Sequence, residues 1–497
     1  MFWKKISIND LIIVIILSLI YAIPVISTNI PYIDDLGRSR WGYSGWENNG
    51  RPLAALIFRF ISLWNPLQNL YPLPQVLGTV ATGLSGLILF KAICFREEKL
   101  SVYCGSLSIL INPFYLENLS YNYDCLTMGL SILILTVPYL FIEKAQANLI
   151  SLVKWFLINS ICIIASLSLY QISANLSFGF ILIYFLSRIL ICQDKSEIKF
   201  LLSFIFFFVI DFVFSYLIYQ TLIADTMVAG EYSMKHSETL PISSFFIEFW
   251  NNSIGLFKFI LSALNGISQF ILYPLLFTSV CVVFSGAYRT LRTSASGVLA
   301  SIIVLLIPVI FIFLSFGIVS VMRFPLFNPR VFIGFSGFIF MGMYAAILMF
   351  GRNKYLQFLL VVPVFACFIL NISYANALQF QEKYDNAMYT SIARALMSLG
   401  FKKNDTLLLQ GIQQEAAQTK LAASKFTIIS SLVPKYIDNN WYWGYVRLKD
   451  FGIIANILSE EEYKKVLELS SCVEPIISSS YSSACKVEPA IFLVKMK

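Results

Sequence analysis

Long apolar segments recur along the 497 residues of this chain, and they constrain its fold more than any other feature. A helix of about 20 apolar residues spans the hydrocarbon core of a bilayer. We predict eleven such helices, at approximately residues 9–29, 72–93, 101–117, 125–142, 150–169, 172–191, 200–220, 268–287, 298–319, 332–350 and 355–373. The chain is therefore expected to be a polytopic α-helical membrane protein with about 11 transmembrane helices.

The composition agrees with a protein whose main partner is a lipid bilayer. Hydrophobic residues make up 58% of the chain and charged residues 13%, whereas a soluble domain averages about 45–50% and about 25%. The net charge of +8 comes from Lys and Arg spread along short turns, so no nucleic-acid partner is expected. Lys4 and Lys5 precede the first apolar segment without a small-residue cleavage site after it, which predicts a retained anchor.

The distribution of Lys and Arg predicts the orientation, because positive residues favour cytoplasmic turns. Short basic turns fall at residues 91–99, 144, 188–199, 289–292 and 352–354. Placing these turns and the N-terminus in the cytoplasm puts the other loops on the opposite side. Those loops are 30–51, 112–124, 221–267 and 323–330, and everything after about residue 374 joins them.

The composition changes near residue 374, which divides the chain into a transmembrane domain, 1–373, and a small α/β domain, 374–497. The second part contains charged helical patterns and three strand-like runs, at 406–410, 426–430 and 491–496. Cys472 and Cys485 both lie in it, and they can pair if the domain faces an oxidising compartment.

The loop 30–51 carries two adjacent carboxylates, Asp34 and Asp35, among aromatic, arginine and glycine residues. Transfer of a sugar to a hydroxyl needs a base that takes the hydroxyl proton, and a carboxylate within hydrogen-bonding reach can do this. Adjacent side chains usually point in different directions, so one Asp is expected to face the site and the other to support it. The alternative is a solvated loop or a helix N-terminal cap.

Four arginines in the outer loops could hold an anionic phosphate, because guanidinium groups match phosphate oxygens geometrically. They would also stabilise the charge that develops on a leaving phosphate. The alternative for each of them is ion pairing or contact with lipid headgroups. The candidates are Arg38, Arg51, Arg323 and Arg330.

The loop 112–124 combines carboxylates and amides with tyrosines, which is typical of a sugar-binding surface. An interfacial aromatic belt would explain the tyrosines but not the acids. The candidates for sugar or acceptor binding are Glu117, Asn118, Tyr121, Asp124 and, from the first loop, Trp46. Asp211 lies within an apolar segment, where an acid has either a functional or a paired structural role.

The chain has no glycine-rich nucleotide-binding loop of the Walker or Rossmann type. This argues against an ATP-driven pump and against a cytosolic enzyme that uses a nucleotide-sugar. The sequence predicts no metal site and requires no cofactor, although the outer-loop acids could bind a divalent metal.

Four stretches carry a resemblance to a known family: YIDDLGRSRWGYSGWENNGRPL (32–53), NPFYLENLSYNYD (112–124), SLYQISANLSFGF (168–180) and FNPRVF (327–332). Together they resemble the phage-derived, serotype-converting O-antigen glucosyltransferases of enteric bacteria. The resemblance covers most of the membrane part, and the DD and GRPL pieces are its most specific features.

This resemblance implies a GT-C-type membrane glycosyltransferase of the bacterial inner membrane with a periplasmic active site. It implies undecaprenyl-phosphate-glucose as donor, a sugar of the lipopolysaccharide O-antigen as acceptor, and inversion at the donor carbon. The first-loop acid of the family falls on Asp34 or Asp35, and Arg51 lies in the matching GRPL turn. The alternatives are a polysaccharide or lipid flippase, which would have polar residues in the middle of several spans, and an O-antigen polymerase or ligase.

Overall fold

A computed structural model describes residues 6–94, 98–145, 148–191, 195–291, 295–469 and 471–497. Four basic residues used to predict the orientation, Lys4, Lys5, Arg96 and Arg292, lie outside this part of the chain. The chain divides into two compact units. The membrane unit comprises Met1–Asn29, Tyr43–Ile372 and Phe426–Ile428, and the C-terminal unit comprises Ile30–Gly42, Ser373–Lys425 and Ile429–Lys497.

The membrane unit is helical. Its α-helices are Ile8–Ile26, Pro52–Ile61, Leu73–Ile93, Lys99–Leu107, Tyr115–Ser120, Asp124–Thr136, Ile142–Ala145, Leu149–Leu167, Asn175–Ile191, Lys195–Tyr219, Asp225–Met227, Glu231–Ser237, Phe245–Ala263, Leu272–Leu291, Ala295–Phe316 and Phe335–Phe350, followed by the first part of Val361–Ser398. Within the described ranges, nine helices are long and apolar enough to cross a membrane, and each overlaps a predicted segment. The class of a polytopic helical protein is therefore confirmed.

The structure does not confirm the predicted number of eleven transmembrane helices. Phe335–Phe350 has 16 residues and falls short of a full span. The predicted single span 101–117 is wrong, because Lys99–Leu107 ends before Tyr115–Ser120 begins. Pro113 has no N–H to donate to a helix, and the Asn112 side chain accepts the Phe114 N–H at 3.0 Å instead of leaving it to a helical carbonyl.

Close approach of two helices fixes the position of the second outer loop. A Cβ on Gly78 would lie 2.4 Å from the Cys125 carbonyl oxygen, and one on Gly129 would lie 2.3 Å from the Gly78 carbonyl oxygen. Small residues let membrane helices pack backbone against backbone in this way. Leu73–Ile93 thus lies directly against Asp124–Thr136, whose first residue is one of the candidate acids.

The C-terminal unit contains a four-stranded sheet: β1 (Thr406–Gln410), β2 (Val473–Ser478), β3 (Ser482–Glu488) and β4 (Ile491–Met496). The strand order is β1-β4-β3-β2, with β1 parallel to β4 and the other pairs antiparallel. Its helices are Asp34–Trp41, the end of Val361–Ser398, Ala417–Lys425, Ile429–Leu432, Tyr442–Asp450 and Glu460–Leu469. The predicted α/β character of this region is confirmed.

Both faces of β1 are covered, which explains its continuous leucine run. Leu407 and Leu409 pack into one apolar core with Phe492 of β4, whereas Leu408 packs on the other face with Cys485. The predicted strands 406–410 and 491–496 are confirmed. The predicted strand 426–430 is wrong, because Ile429–Leu432 is helical and buries residues spaced three apart.

A disulfide bond joins Cys472 to Cys485, whose Cα atoms are 5.5 Å apart. Cys472 directly precedes β2 and Cys485 lies in β3. The bond therefore crosslinks two neighbouring antiparallel strands at the edge of the sheet.

Residues Ile30–Gly42 follow the first membrane helix in sequence but group with the C-terminal unit. The Tyr32 hydroxyl donates to the Leu432 carbonyl at 2.7 Å, and the Ile33 N–H donates to the Tyr436 hydroxyl at 3.3 Å. Arg40 forms an ion pair with Asp450. The loop 30–51 is thus divided, and its two adjacent aspartates, Asp34 and Asp35, belong to a different unit from Trp46 and Arg51.

Candidate active site

Arg51 is held on three sides within the membrane unit. Its Nε donates to the Gln171 Oε1 at 2.8 Å, and its guanidinium lies 4.8 Å from the centre of the Tyr170 ring. Its Nη1 is 3.9 Å from the Asp124 Oδ1. Within the described part of the chain, neither Nη group makes a hydrogen bond, so both remain available to a ligand.

The turn before Arg51 explains the GRPL motif. Gly50 has a φ of +70°, and a Cβ there would lie 2.7 Å from the Tyr219 hydroxyl oxygen, so a side chain would be both strained and obstructed. Pro52 begins the helix Pro52–Ile61, where its missing N–H costs nothing. The glycine and the proline therefore fix the backbone that presents Arg51.

Asp124 is the buried partner of Arg51 and the first residue of Asp124–Thr136. Its Oδ1 accepts a hydrogen bond of 2.8 Å from the Trp46 Nε1. The Trp46 ring is fully buried and stacks on Phe58, with 4.7 Å between ring centres. The indole therefore holds the carboxylate in a fixed orientation toward the arginine.

Arg330 has a parallel arrangement. Its backbone N–H donates to the Glu117 Oε2 at 2.7 Å, and its Nε lies 3.9 Å from the Glu117 Oε1. Its Nη1 donates to the Tyr121 hydroxyl. Each arginine is thus paired with one buried carboxylate and one tyrosine.

Tyr170 connects the group of residues around Arg51 with the group around Arg330. Its ring lies under Arg51, while its hydroxyl donates to the Arg330 carbonyl at 2.9 Å. Burial raises the pKa of Tyr170 to about 12, against the opposing effect of Arg51 and Arg330, so the phenol stays neutral and keeps its proton to donate. We call this set the arginine network; its members are Trp46, Arg51, Glu117, Tyr121, Asp124, Tyr170, Gln171 and Arg330.

The acids and the arginines of the arginine network differ in their exposure to solvent. The side chains of Asp124 and Glu117 are 4% and 2% exposed, whereas those of Arg51 and Arg330 are 21% and 19% exposed. The carboxylates are therefore buried, whereas the guanidinium groups are partly exposed. Such an arrangement can receive an anion such as a phosphate, and bidentate contacts from two arginines would orient it.

Within the described ranges, the side chains of two predicted residues of the membrane unit bind partners outside the arginine network. The Asn118 Nδ2 lies 3.1 Å from the Met128 Sδ, although Asn118 is the neighbour of Glu117 in Tyr115–Ser120. Arg323 pairs with Glu238 at 3.0 Å, and both side chains are about half exposed. Their predicted roles in sugar binding and phosphate binding stay predictions.

Asp34, Asp35 and Arg38 lie in the C-terminal unit, on the helix Asp34–Trp41. Asp35 is fully buried and its Oδ2 accepts the Tyr32 N–H at 3.1 Å, whereas Asp34 is partly exposed. Ile33, just before them, has a φ of +46°. This is a rare backbone conformation for a β-branched residue, and such outliers concentrate at functional sites.

Asp211 has a paired structural arrangement. It accepts hydrogen bonds from the Asn159 Nδ2, at 2.7 Å, and from the Ser160 hydroxyl. Asn159 and Ser160 belong to Leu149–Leu167 and Asp211 to Ser196–Met227, both of membrane-spanning length. The acid therefore joins two helices by hydrogen bonds.

No group of three or more His, Cys, Asp or Glu side chains in the described part of the chain is placed to hold a metal ion. The arginine network contains two carboxylates, each directed at an arginine. Its chemistry is that of an anion site.

Three residues in or beside the arginine network, Tyr170, Gln171 and Tyr219, were not predicted as site residues from the sequence. Tyr170 and Gln171 follow an apolar segment, and Tyr219 lies in a long apolar helix. The Gln171 Nε2 donates to the Asn49 carbonyl at 2.6 Å and to the Tyr219 hydroxyl at 3.0 Å. These contacts join segments more than 40 residues apart, which no local pattern reveals.

Comparison with known proteins agrees with the resemblance described from the sequence. An uncharacterized 55.3 kDa protein encoded in the gtrB 5' region of Salmonella phage P22 is 29% identical over 458 residues, which covers 90% of this chain and 91% of that protein. No solved structure matches the chain, so the GT-C-type fold stays a prediction. The profile of the family described as glucosyl transferase GtrII matches residues 23–341. The chain therefore belongs to the glucosyl transferase GtrII family and is a glycosyltransferase.

Proposed function

We propose that this protein transfers glucose from undecaprenyl-phosphate-glucose to a sugar hydroxyl of the lipopolysaccharide O-antigen, at the periplasmic face of the bacterial inner membrane. The observation that carries the proposal is the arginine network. Six residues singled out from three separate loops meet there, with Tyr170 and Gln171 between them. Its two partly exposed guanidinium groups suit the phosphate of a lipid-linked sugar.

The arginines are assigned to the donor phosphate. As the acceptor oxygen forms its bond to the anomeric carbon, the bond between that carbon and the phosphate oxygen breaks. The lipid phosphate leaves with the electron pair and gains negative charge. Arg51 and Arg330 stabilise this charge, an effect that typically accelerates reactions by about 10²–10³-fold for each well-placed donor.

The proton of the acceptor hydroxyl goes to a first-loop carboxylate, and we assign it to Asp34. Asp35 is fully buried and accepts a backbone hydrogen bond, which suits a supporting role. Asp34 is partly exposed, so a hydroxyl can reach it. Direct attack on a single donor bond inverts the configuration at the donor carbon.

The other acids of the site have a positioning role in this proposal. Glu117 and Asp124 are each buried against an arginine. Neutralising either would release the guanidinium that it orients. The GT-C-type architecture and the divalent metal that some such enzymes use belong to the same proposal, and metal dependence is tested directly by adding a chelator.

The disulfide supports the assigned compartment. Disulfides form and persist in oxidising compartments such as the bacterial periplasm and are rare in the cytosol. The pairing of Cys472 with Cys485 therefore favours a periplasmic C-terminal unit, in agreement with the orientation expected from the basic turns.

The experiment is glucose transfer by the purified protein from synthetic undecaprenyl-phosphate-glucose to O-antigen polysaccharide. Wild type is compared with Asp34→Asn and Asp35→Asn, with Asp438→Asn as control because Asp438 is an exposed acid of the same unit. We expect Asp34→Asn to lose about 10²-fold or more, as for a general base, and the control to keep wild-type activity.

Full activity in both first-loop variants would remove these carboxylates from the mechanism. A larger loss in Asp35→Asn than in Asp34→Asn, with both variants folded, would reverse their assigned roles. No transfer by a folded wild type, with or without divalent metal, would overturn the assigned donor and acceptor and favour the flippase or polymerase interpretation.

A further inference from the structure

A partly open cavity of about 450 Å³ lies in the membrane unit. This volume falls within the range of about 300–1,000 Å³ that is typical of ligand pockets. Its walls are largely aromatic and aliphatic, including Phe178, Phe212, Phe249, Phe313, Leu314 and Val321. Such walls suit a hydrocarbon ligand.

The cavity adjoins the arginine network. Gln171 lines the cavity and also accepts the 2.8 Å hydrogen bond from the Arg51 Nε. A single side chain thus separates an apolar space from a guanidinium group with available Nη donors. This juxtaposition fits an amphiphile that has an anionic head and a hydrocarbon tail.

A second polar group lies near Gln171 in the lining. Asn175 is about nine-tenths buried, and its Nδ2 has no hydrogen-bond partner within the described residues. Its Oδ1 accepts the Ile318 N–H at 3.3 Å, which fixes the amide. A buried donor without a partner is costly unless a ligand satisfies it, and an oxygen of an anionic head can do so.

Most of the wall residues belong to three helices of membrane-spanning length, Gln171–Ile191, Ser196–Met227 and Gly297–Val321. The same helices carry exposed apolar side chains, such as Phe214 and Val309, which suit contact with lipid. A hydrocarbon tail in the cavity would therefore continue into the bilayer, whereas a fully soluble ligand would have to cross apolar surface to enter.

We infer that this cavity binds the first isoprenyl units of the polyprenyl phosphate lipid, with the phosphate toward Arg51 and Asn175. The inference rests on the proposed function, because it assigns a place to the tail of the proposed donor. It adds a recognition site for the carrier lipid that is separate from recognition of the sugar.

The first test is binding of undecaprenyl phosphate, without sugar or acceptor, to the purified full-length protein. Leu314→Trp places a larger side chain in the cavity wall. Leu306→Trp is the matched control, because Leu306 lies on the same helix and is 47% exposed. We expect at least a tenfold rise in Kd for Leu314→Trp and less than a twofold change for Leu306→Trp.

The second test uses a gentler substitution, in case the tryptophan variant does not fold. Leu314→Cys and Leu306→Cys are alkylated with a maleimide, with wild type reporting the background from native cysteines. Undecaprenyl phosphate should slow alkylation of Leu314→Cys at least fivefold and leave Leu306→Cys unchanged.

The outcomes separate this inference from the proposed function. Equal lipid binding by wild type and a folded Leu314→Trp, or no protection of Leu314→Cys, would overturn the cavity assignment even if wild type transfers glucose. Absence of both lipid binding and glucose transfer in a folded wild type would overturn the two proposals together. Lipid binding lost only in Leu314→Trp would support the cavity assignment whether or not the acceptor is the one proposed.

Discussion

Both units of this protein place arginines over tyrosine rings and beside carboxylates, but the two arrangements differ in exposure. In the C-terminal unit, the Arg447 Nη2 donates to the Glu382 Oε1 at 2.7 Å. Its guanidinium lies 5.7 Å and 5.8 Å from the ring centres of Tyr389 and Tyr436. In the membrane unit, Arg51 and Arg330 have similar partners.

The difference lies in which member of each pair is covered. The Arg447 side chain is 8% exposed and Glu382 23% exposed, so the cation is the inner partner. In the arginine network the carboxylates are inner and the guanidinium groups outer, at 21% and 19% exposure. A buried cation with an outer acid stabilises a fold, whereas an outer cation with a buried acid can bind an anion.

The largest effect that separates the two arrangements is expected at Arg447. Arg447→Ala removes the cation from a buried pair, which typically costs about 3–5 kcal/mol because polar groups are left without partners. We expect the lower end of this range, since Glu382 keeps some contact with solvent. Thermal unfolding of the purified full-length protein measures the change.

The control is Arg394→Ala, because Arg394 is an exposed arginine of the same unit, on the helix Val361–Ser398 that also carries Glu382. It should change stability by less than about 0.5 kcal/mol. Equal unfolding temperatures for Arg447→Ala and Arg394→Ala would contradict a structural role for the Arg447 pair.

A smaller effect is expected at Tyr170. Tyr170→Phe keeps the ring under Arg51 but removes the hydrogen bond to the Arg330 carbonyl. A neutral hydrogen bond contributes about 0.5–1.5 kcal/mol, so we expect donor use, measured as kcat/KM, to fall about 3- to 10-fold. Tyr355→Phe, at an exposed tyrosine, should have no effect, and an unchanged kcat/KM in Tyr170→Phe would mean that the hydroxyl does not couple the two arginines.

The smallest effect is expected at Arg323. Its ion pair with Glu238 is exposed, and such pairs contribute about 0–1 kcal/mol. Arg323→Ala should therefore keep glucose transfer within about twofold of wild type. A tenfold loss in the transfer assay would instead support the role in phosphate binding that the sequence predicts for this residue.

The residues of the arginine network that could be predicted from the sequence are charged or polar residues in the short loops between apolar segments. Arg51, Glu117, Asp124 and Arg330 all belong to polar loops between long apolar segments, and the structure brings them together. The network required Tyr170 as its link, and a single tyrosine after an apolar segment does not reveal a partner 160 residues away.

The fold could be predicted where a segment is long and uniformly apolar. It could be predicted less well where one or two side chains determine whether a helix continues or ends. Asn112 and Pro113 interrupt the expected span 101–117, although its composition is apolar. Arg447 lies in a helix of mixed polarity, Tyr442–Asp450, and its burial depends on tertiary packing. The grouping of Ile30–Gly42 with a distant C-terminal unit likewise depends on contacts about 400 residues apart.

We propose that the two more exposed guanidinium groups of the arginine network, those of Arg51 and Arg330, bind the phosphate of a polyprenyl lipid. The most direct measurement compares the affinity of the full-length protein for undecaprenyl phosphate and for undecaprenol, in wild type and in Arg51→Gln. A hydrogen bond to a charged group is worth about 1.5–3 kcal/mol, which corresponds to about 10- to 150-fold in affinity. We predict that wild type binds undecaprenyl phosphate at least about tenfold more tightly than undecaprenol. In Arg51→Gln, the ratio of the two affinities should fall at least about tenfold. Equal affinity for the two lipids in wild type, or an unchanged preference in a folded Arg51→Gln, would contradict the claim.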